Sequence, residues 1–404
     1  MKVLVCNAGS TSLKFKFYEM PECKLYAQGH VERVGSEDDA IFHYKNVING
    51  AAVELEKQCI PGYKEGIRMF LARLTDAKEG VISDITEIER VGFKTVLSKG
   101  HFGVHELDEE TMQGMRDWLS LAPVHNTAYL AAIETMREVL PEAKFVGVFE
   151  TAFHQTIPME RKLFGLPYEW YETYGVQRLG YHGASHGYIA DTLNELTKKE
   201  GKDTYRAISC HLGGSCSICA IKDGKSADTS FGMSLESGVI HANRVGDMDS
   251  SILYFLEREG LSREEILQGC QKKGGLLGIS GVSNDCRYVL EAAEKGDERA
   301  KLARDVFVTN IAHYIGSFFV DLGGLDFLVF TAGIGEHSDE IRRQVCEKCA
   351  CLGIELDEAA YEAACRVESG EAAEISAKNS SVRVLVIPTN EEIGIARRTY
   401  EFED

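Results

Sequence analysis

Two stretches of the chain show the same succession of an apolar run, a group of small residues, and a segment in which apolar and polar residues alternate. Residues 3–17 and 207–221 each begin with an apolar run, pass through a turn of small residues, and continue with alternating apolar and polar positions. This order predicts one β-hairpin in each half of the chain. Cys6 and Cys210 hold equivalent places about half the chain length apart, which predicts two similar lobes that arose by duplication. Two unrelated hairpins are the alternative.

Strand-like and helix-like patterns alternate along the rest of the chain. Further strands are predicted at Lys144–Phe149, Phe327–Phe330 and Val382–Ile387. Helices are predicted at Leu107–Leu121, Thr127–Leu140, Arg299–Leu322 and Ser338–Leu352, and after a capping box of Ser262 and Glu265. This alternation predicts an α/β class with mixed sheets. No Pro-, Gly- or Ser-rich linker separates the halves, so we expect ordered connections around a cleft.

Composition and charge narrow the range of partners. The chain has 404 residues, enough for two domains with full cores, and a formal net charge of −19. Such an acidic surface repels phosphate backbones, so nucleic acid is not an expected partner. No apolar run approaches the roughly 18 residues of a membrane span. The first residues turn polar too early for a signal peptide. Twelve cysteines without such a signal predict reduced thiols and a cytoplasmic location.

Two cysteine groups invite comparison with metal sites. Cys346, Cys349 and Cys351, which Cys365 follows further on, lie in the helix-like pattern of Ser338–Leu352, and no second pair follows at zinc-ribbon spacing. Cys216 and Cys219 lie in a strand pattern, where residues three apart face opposite sides of the sheet. We therefore expect core or surface thiols at both places, and no metal.

Three glycine-rich turns follow predicted strands. The first, Asn7 to Ser12 with Lys14 on the outgoing strand, offers hydroxyls, an amide and backbone N–H groups that can surround phosphate oxygens. The others span 211–215 and 331–336. An ordinary hairpin turn explains any one of them. None has the spacing of a P-loop or of a dinucleotide fingerprint, so those folds are not indicated.

Several longer motifs make the sequence resemble the acetate kinases, a family of the acetate and sugar kinase/actin superfamily. The matching stretches, spread over nearly the whole chain, are 7–14, 152–156, 181–186, 276–281, 330–336 and 388–392. The resemblance implies two duplicated actin-like (ribonuclease H-like) α/β lobes, with mixed sheets flanked by helices and the active site in the cleft. It implies an N-terminal lobe at 1–150 plus 393–404, and a nucleotide-binding and dimerisation lobe at 151–392.

The resemblance also implies substrates, a metal and roles for single residues. It implies ATP or ADP, Mg²⁺, a small carboxylic acid and a homodimer. Its catalytic residues are Glu150, His182 and Arg244: His182 would donate to the transferring phosphoryl group, Arg244 would lie against that group, and Glu150 would align the acceptor or a metal-bound water. Asn7 and Glu391 would hold Mg²⁺, directly or through water. Without the resemblance, His182 reads as a core histidine and Glu391 as a solvated charge.

Two further sets of residues are implied to bind the substrates. The acceptor acid would be bound by Lys94, Val124, Tyr181 and Leu235. The nucleotide would be bound by Lys14, His211, Leu212, Gly213, Gly214, Ser215, Asp285, Cys286, Arg287, Gly333, Ile334, Gly335, Glu336 and His337. Without the resemblance, Asp285 reads as a helix N-terminal acid and Arg287 as part of a solvated face.

The acceptor side departs from the family pattern, whereas the adenosine side keeps most of it. Lys94 stands where the family has the arginine that grips the substrate carboxylate, so a two-pronged donor becomes a point charge. Glu150 stands where the family has its catalytic aspartate, and a displacement of about 1 Å can cost about 100-fold in rate. Gly214 replaces an asparagine, Tyr181 a phenylalanine and Leu235 a proline.

These observations predict reversible phosphoryl transfer from ATP to acetate or a related short carboxylic acid, giving an acyl phosphate. A kinase for a larger or more polar carboxylic acid is one alternative. Another is an ATP-binding paralogue that has lost transfer and acts as a sensor or partner. Retention of His182, Arg244, Asn7 and Glu391 argues against a sensor, which needs no groups that stabilise a transition state. A sugar kinase fits worse, because the long motifs belong to carboxylate kinases.

Overall fold

A computed structural model of the chain describes residues 1–9, 11–364 and 372–403, and only the backbone of Pro123, Val124 and Ala364. The chain forms two compact units, Met1–Gln155 with Asn390–Asp404, and Thr156–Thr389. The predicted lobes divide at 150 and 393, whereas the compact units divide after Gln155 and before Asn390. Glu391 therefore belongs to the same unit as Asn7. The division into functional lobes stays a prediction.

Strands and helices alternate along the described residues. The strands are β1 (Lys2–Ala8), β2 (Ser12–Glu19), β3 (Lys24–Glu32), β4 (Ser36–Asn46), β5 (Ala52–Ile60), β6 (Arg90–Thr95), β7 (Val104–Glu106), β8 (Lys144–Phe149), β9 (Arg206–Leu212), β10 (Cys216–Lys222), β11 (Lys225–Thr229), β12 (Phe327–Thr331), β13 (Ala373–Glu374) and β14 (Arg383–Val386). The helices are α1 (Tyr63–Leu74), α2 (Glu109–Asp117), α3 (Pro123–Val139), α4 (Met159–Lys162), α5 (Tyr168–Tyr174), α6 (Gly183–Lys199), α7 (Ser251–Arg258), α8 (Arg263–Gln271), α9 (Gly275–Ser280), α10 (Cys286–Glu294), α11 (Glu298–Leu322), α12 (Ala332–His337), α13 (Asp339–Lys348), α14 (Glu358–Ala364) and α15 (Glu391–Glu401).

The first unit is built on a mixed sheet with the strand order β5-β4-β3-β2-β1-β6-β8-β7. The five strands from β1 to β5 pair antiparallel in sequence, β6 and β8 run parallel to β1, and β7 closes the edge antiparallel to β8. β1 and β8 are largely apolar and buried, as expected of strands covered on both faces.

The second unit repeats this arrangement. Its sheet has the order β11-β10-β9-β12-β14-β13, in which β9 to β11 are antiparallel, β12 and β14 run parallel to β9, and β13 is antiparallel to β14. This is the order and direction of β3-β2-β1-β6-β8-β7 in the first unit. The two mixed sheets confirm the predicted fold class, and the hairpins that carried the prediction, β1–β2 and β9–β10, hold equivalent places.

Most predicted elements are present, with shifts at their ends. β8 has the predicted bounds, α11 is one residue longer at its start, and Ser262 and Glu265 form the predicted capping box of α8. The observed helix α2, Glu109–Asp117, is shorter than the predicted Leu107–Leu121. It begins at Glu109 because the Asp108 side chain accepts a hydrogen bond from the backbone of Thr111 and caps the helix. No helix of the described residues is long and apolar enough to cross a bilayer.

The cysteines of the described ranges are free thiols. Cys216, Cys219, Cys346 and Cys349 are buried, and Cys346 and Cys349 belong to the apolar core of the second unit. Cys365 lies outside the described residues.

Candidate active site

In the first unit, three neighbouring parallel strands bring candidate side chains to one edge of the sheet. Asn7 is near the end of β1, Lys94 is near the end of β6, and Glu150 directly follows β8. Because β1, β6 and β8 run parallel, their carboxyl ends meet at the same edge, where ligands bind in open α/β sheets. Glu391 reaches the group from the first turn of α15, a position at which the helix dipole favours an acid.

The ammonium group of Lys94 lies between two carboxylates. Its Nζ is 2.8 Å from Oε1 of Glu150 and 2.6 Å from Oε2 of Glu391. The exposed fractions of the three side chains are 18% for Lys94, 5% for Glu150 and 15% for Glu391. Burial alone lowers the pKa of Lys94, but the charges of the two glutamates raise that pKa well above its usual value. Lys94 is therefore held as a cation.

Tyr129 joins this group from α3. Its hydroxyl donates to Oδ1 of Asn7 over 3.1 Å, and burial raises the pKa of the phenol, which keeps it a neutral donor. The sequence analysis did not single out Tyr129, because a tyrosine at an apolar position of a helix is most simply read as core. Its proximity to Asn7 becomes visible only once α3 packs against β1.

The oxygen donors of the first unit fit Mg²⁺. Asn7 offers an amide oxygen and Glu150 and Glu391 offer carboxylates, which are the ligands this ion prefers. The two carboxylates and the Lys94 ammonium leave one net negative charge. Within the described residues, no group of three or more His, Cys, Asp and Glu side chains is arranged to hold a metal. Mg²⁺ usually keeps several of its own water ligands and needs only one or two protein carboxylates.

In the second unit, His182 has an unusual backbone conformation. It precedes α6 with φ of 57°, in the left-handed region that residues other than glycine rarely adopt. Its Nδ1 is 2.8 Å from Oγ of Ser217, and its ring stacks on His211 at a centroid distance of 3.9 Å. The Phe231 ring packs against it in an edge arrangement, with a centroid distance of 5.2 Å. Such local strain persists where the surroundings fix the conformation, and it is frequent at functional sites.

Arg244 lies on a loop that is tied together by internal hydrogen bonds. Its Nη1 donates to the backbone oxygen of Leu235 over 2.6 Å, and Asp247 accepts from the backbone of Gly238. Burial lowers the pKa of Arg244, but an arginine keeps its charge at any pH at which the protein folds. Burial and the Arg244 charge together lower the pKa of His241 to about 3. His241 is therefore neutral beside the guanidinium.

The second and third glycine-rich turns lie at the carboxyl ends of β9 and β12. These strands are parallel, and Thr331 pairs with His211 in register. A Cβ atom at Gly214 or at Gly333 would meet no atom within 4 Å, so the backbone is open to close approach by a ligand. Exposed N–H groups in such turns suit phosphate oxygens, which makes both turns compatible with a nucleotide. The Nδ1 atom of His211 is 2.8 Å from Oγ of Ser185.

Several residues expected at the nucleotide have internal roles. Oε1 of Glu336 accepts from the backbone N–H groups of Ala332 and Thr389, at 2.8 and 3.0 Å, and so links two loops. Asp285 caps α10 and pairs with the exposed Arg287 at 2.6 Å, and that hydrogen bond lowers the pKa of Asp285. The Cys286 side chain is buried in the apolar core.

The remaining candidates have differing environments. Leu212 is buried, Gly213, Ser215 and Ile334 are half-buried, Gly335 is buried, and Lys14 and His337 are exposed. The ring of Tyr181 is buried, and its hydroxyl donates to the backbone oxygen of Met233. The side chain of Val124 lies outside the described residues, as does Ser10 of the first turn.

Comparison with known proteins decides the family. Residues 2–397 match the Acetokinase family. The chain belongs to this family. Acetate kinase of Treponema denticola is 41% identical over 401 residues, which cover 99% of each chain. Acetate kinase of Bacillus subtilis is 41% identical over 398 residues, which cover 98% of each.

Solved structures of this family have the same fold. Porphyromonas gingivalis acetate kinase is similar with a TM-score of 0.85 and 37% identity, over 99% of this chain and 98% of the other. A propionate kinase from Francisella tularensis has a TM-score of 0.85 and 32% identity over 100% of both chains. These relatives confirm the resemblance seen in the sequence. The chain is an ATP-using phosphotransferase whose acceptor is a carboxyl group.

Proposed function

We propose that this family member transfers the γ-phosphoryl group of ATP reversibly to acetate or a related short carboxylic acid, with Mg²⁺, giving an acyl phosphate. The observation that carries the proposal is the fixed orientation of His182. Its ring is held by the Ser217 hydroxyl and by stacking on His211, in a strained backbone conformation. A protein that only senses nucleotide gains nothing from an imidazole oriented in this way.

The transfer brings two anions together, so it requires charge stabilisation and alignment. In the proposed reaction His182 donates to an oxygen of the transferring group, and the Arg244 guanidinium stabilises its negative charge. Asn7 and Glu391 hold Mg²⁺, directly or through water, and Glu150 aligns the acceptor or a water molecule on the metal. When bound, the ion neutralises part of the charge on the phosphate oxygens.

The nucleotide contacts proposed for the second unit come from its open turns. Backbone N–H groups around Gly213, Gly214 and Gly333 approach the phosphates, and the space at Gly214 and Gly333 is open, because a Cβ atom at either would meet no atom within 4 Å. The family resemblance also assigns Lys14 to the ATP phosphates, where its ammonium group would add a flexible countercharge. Asp285 and Arg287, which bind each other, offer a surface for the adenosine.

Lys94 contributes differently from the arginine that the family has at this position. An ammonium group has three donors, and two of them point to Glu150 and Glu391. One donor is then left for the carboxylate of the acceptor acid, in place of a two-pronged grip. We therefore expect the Michaelis constant for the acid to be high compared with that for ATP.

A larger carboxylic acid is the second candidate acceptor. It is favoured by the open space at Gly214, where the family has asparagine and where a Cβ atom would meet nothing within 4 Å. The hydroxyl of Tyr181 gives no support to a more polar acid, because it already donates to Met233.

Trapping with hydroxylamine tests the proposal. The purified protein is incubated with Mg·ATP, hydroxylamine and one acid at a time: acetate, propionate, butyrate, glycolate or lactate. We expect acyl hydroxamate with acetate or propionate, and most with butyrate or lactate if the second candidate is right. Arg244→Ala, prepared in parallel, controls for contaminating kinases and is expected to lose turnover. The proposal is overturned if no acid gives more hydroxamate than this control.

A homodimer and a cytoplasmic location complete the proposal. The family resemblance implies a dimer, and the free thiols of the described cysteines suit a reducing compartment. Sedimentation velocity and cell fractionation test them.

A further inference from the structure

Four side chains of the second unit form a series of hydrogen bonds that reaches His182. Oγ of Ser209 is 3.0 Å from Nδ1 of His186, Nε2 of His186 is 2.8 Å from Oγ of Ser217, and that oxygen is 2.8 Å from Nδ1 of His182. Ser209, His186 and Ser217 have no exposed surface, whereas His182 is half-buried. We call Ser209, His186, Ser217 and His182 the histidine relay.

The protons of the relay are coupled, because a hydroxyl donates only one hydrogen bond. Ser217 contacts a ring nitrogen on each side, so it donates to one imidazole and accepts from the other. If Ser217 donates to His182, then Nδ1 of His182 is the acceptor and its ring proton is on Nε2. His186 must then donate from its own Nε2 to Ser217, and its Nδ1 accepts from Ser209. The position of one proton therefore fixes all the others.

We propose that Ser217, His186 and Ser209 are positioning residues that hold neutral His182 with its proton on Nε2. This inference rests on the proposed function, in which His182 donates to the transferring phosphoryl group. Nε2 is the ring nitrogen remote from Ser217. In this direction of the relay, Nδ1 of His182 accepts from Ser217, and Nε2 is left as the donor for the phosphoryl group.

Burial supports a neutral relay. Three of its four members are fully buried, and an imidazolium there would carry an uncompensated desolvation cost. With both rings neutral, the relay has only two self-consistent directions, and the second would leave His182 with an acceptor at Nε2. The stacked ring of His211 holds the ring plane of His182 but does not contribute a proton to this series.

Nitrogen-15 NMR of histidine-labelled wild-type protein tests the direction without any variant. His182 is assigned by the signal that disappears in His182→Gln. We expect a protonated Nε2 and an unprotonated, hydrogen-bonded Nδ1 at the pH of maximal activity. A protonated Nδ1 with a bare Nε2 overturns the proposal. This readout does not depend on turnover, so it is distinct from the failure of the acid screen.

Variants test whether the relay acts on the reaction. Ser217→Ala should lower kcat by roughly 10- to 100-fold and alter the pH profile, with less than about a 3-fold change in the Michaelis constant for Mg·ATP. His186→Gln keeps an N–H donor near the Nε2 position and should retain most activity. His186→Asn places its amide near the Nδ1 position and leaves no donor for Ser217, so it should lose most of the activity.

Ser230→Ala is the matched control. Ser230 is buried and its hydroxyl accepts from the backbone of Ile218, next to Ser217 in the chain, without being part of the relay. The Ser230→Ala variant should have the same His182 NMR signal and the same pH profile as the wild type. Equal loss of kcat in Ser217→Ala and Ser230→Ala, or in both His186 variants with wild-type NMR signals for His182, overturns the proposal.

Discussion

At the scale of single residues, Lys94 shows how a lysine in place of the family's arginine alters the chemistry at the carboxyl end of β6. A compact ammonium fits between Glu150 and Glu391, whereas a guanidinium is planar and presents a fixed fork. The arrangement places one half-buried cation against one buried and one half-buried carboxylate. Removing one partner of such a group leaves uncompensated charge, and that is strongly destabilising.

Lys94→Met is therefore expected to lower the free energy of unfolding by about 3 kcal/mol, as measured by urea denaturation at pH 7. Lys16→Met is the matched control, since Lys16 pairs with Glu392 at 3.1 Å in a more exposed setting, and about 1 kcal/mol or less should be lost. Adding Glu150→Gln to Lys94→Met should recover part of the stability. Equal losses in the two lysine variants would contradict the buried role of Lys94.

His241 is a second residue whose environment decides its charge. Its Nδ1 accepts from the backbone of Cys216 over 2.9 Å, which puts the proton on Nε2, 3.2 Å from the oxygen of Ser237. Burial, with the charge of Arg244, lowers its pKa to about 3. In the unfolded chain the pKa returns to about 6.5, so the unfolded state binds more protons at pH values between the two.

Stability should consequently fall as the pH decreases below about 6.5. Between pH 7 and pH 5 the wild type is expected to lose about 2 kcal/mol more free energy of unfolding than His241→Gln, which lacks the titrating group. Urea denaturation of both proteins at the two pH values measures this difference. Parallel curves for the two proteins would show that the His241 pKa is not depressed in the folded state.

At the scale of elements, the turn that follows β9 and the first residue of α9 show two different uses of glycine. Gly214 has ordinary backbone geometry and open space around it. Gly275 has φ of +59°, and a Cβ atom there would lie 2.1 Å from the backbone oxygen of His241. The first position can accept a side chain and the second cannot.

Gly214→Asn should change the free energy of unfolding by less than about 0.5 kcal/mol. Gly275→Ala should lower the free energy of unfolding by about 2 kcal/mol or more, because the strain of a positive φ is added to a clash with the backbone oxygen of His241. Urea denaturation compares the two variants. If the space at Gly214 admits a longer acid, Gly214→Asn should also raise the ratio of acetyl to butyryl hydroxamate. A large loss of stability in Gly214→Asn would show that the position is crowded.

At the scale of the whole molecule, an acidic protein is proposed to bind a highly charged anion. The formal net charge is −19, so the attraction must come from local groups such as Arg244 and from open backbone N–H groups. Such a ligand binds the folded chain and not the unfolded one, and it stabilises the fold by mass action.

Mg·ATP at a hundred times its dissociation constant is expected to stabilise the chain by about 2.7 kcal/mol. Differential scanning calorimetry measures the rise in Tm, and the same ATP concentration with EDTA is the control. If Asn7 and Glu391 hold the ion, the shift should shrink in EDTA, and it should depend less on Mg²⁺ in Asn7→Ala. An identical shift with and without EDTA would argue against that metal site.

The sequence by itself determined the elements and the family. Apolar residues that recur every second position indicate a strand, and those that recur about every 3.6 positions indicate a helix, because each pattern puts them on one buried face. The hairpins, β8 and α11 could therefore be predicted from local sequence alone. The long motifs carried the resemblance to acetate kinases. The repeat in residues 3–17 and 207–221 predicted two similar lobes, and the alternation of strands and helices predicted mixed sheets.

Only the tertiary structure decided which side chains meet. Lys94 contacts Glu391 across 297 positions of sequence, and Tyr129 contacts Asn7 across 122. The packing of α15 against β6 and of α3 against β1 creates these contacts, and a local sequence pattern carries no information about that packing. The same holds for the relay behind His182, whose members come from the N-terminal part of α6 and from two paired strands.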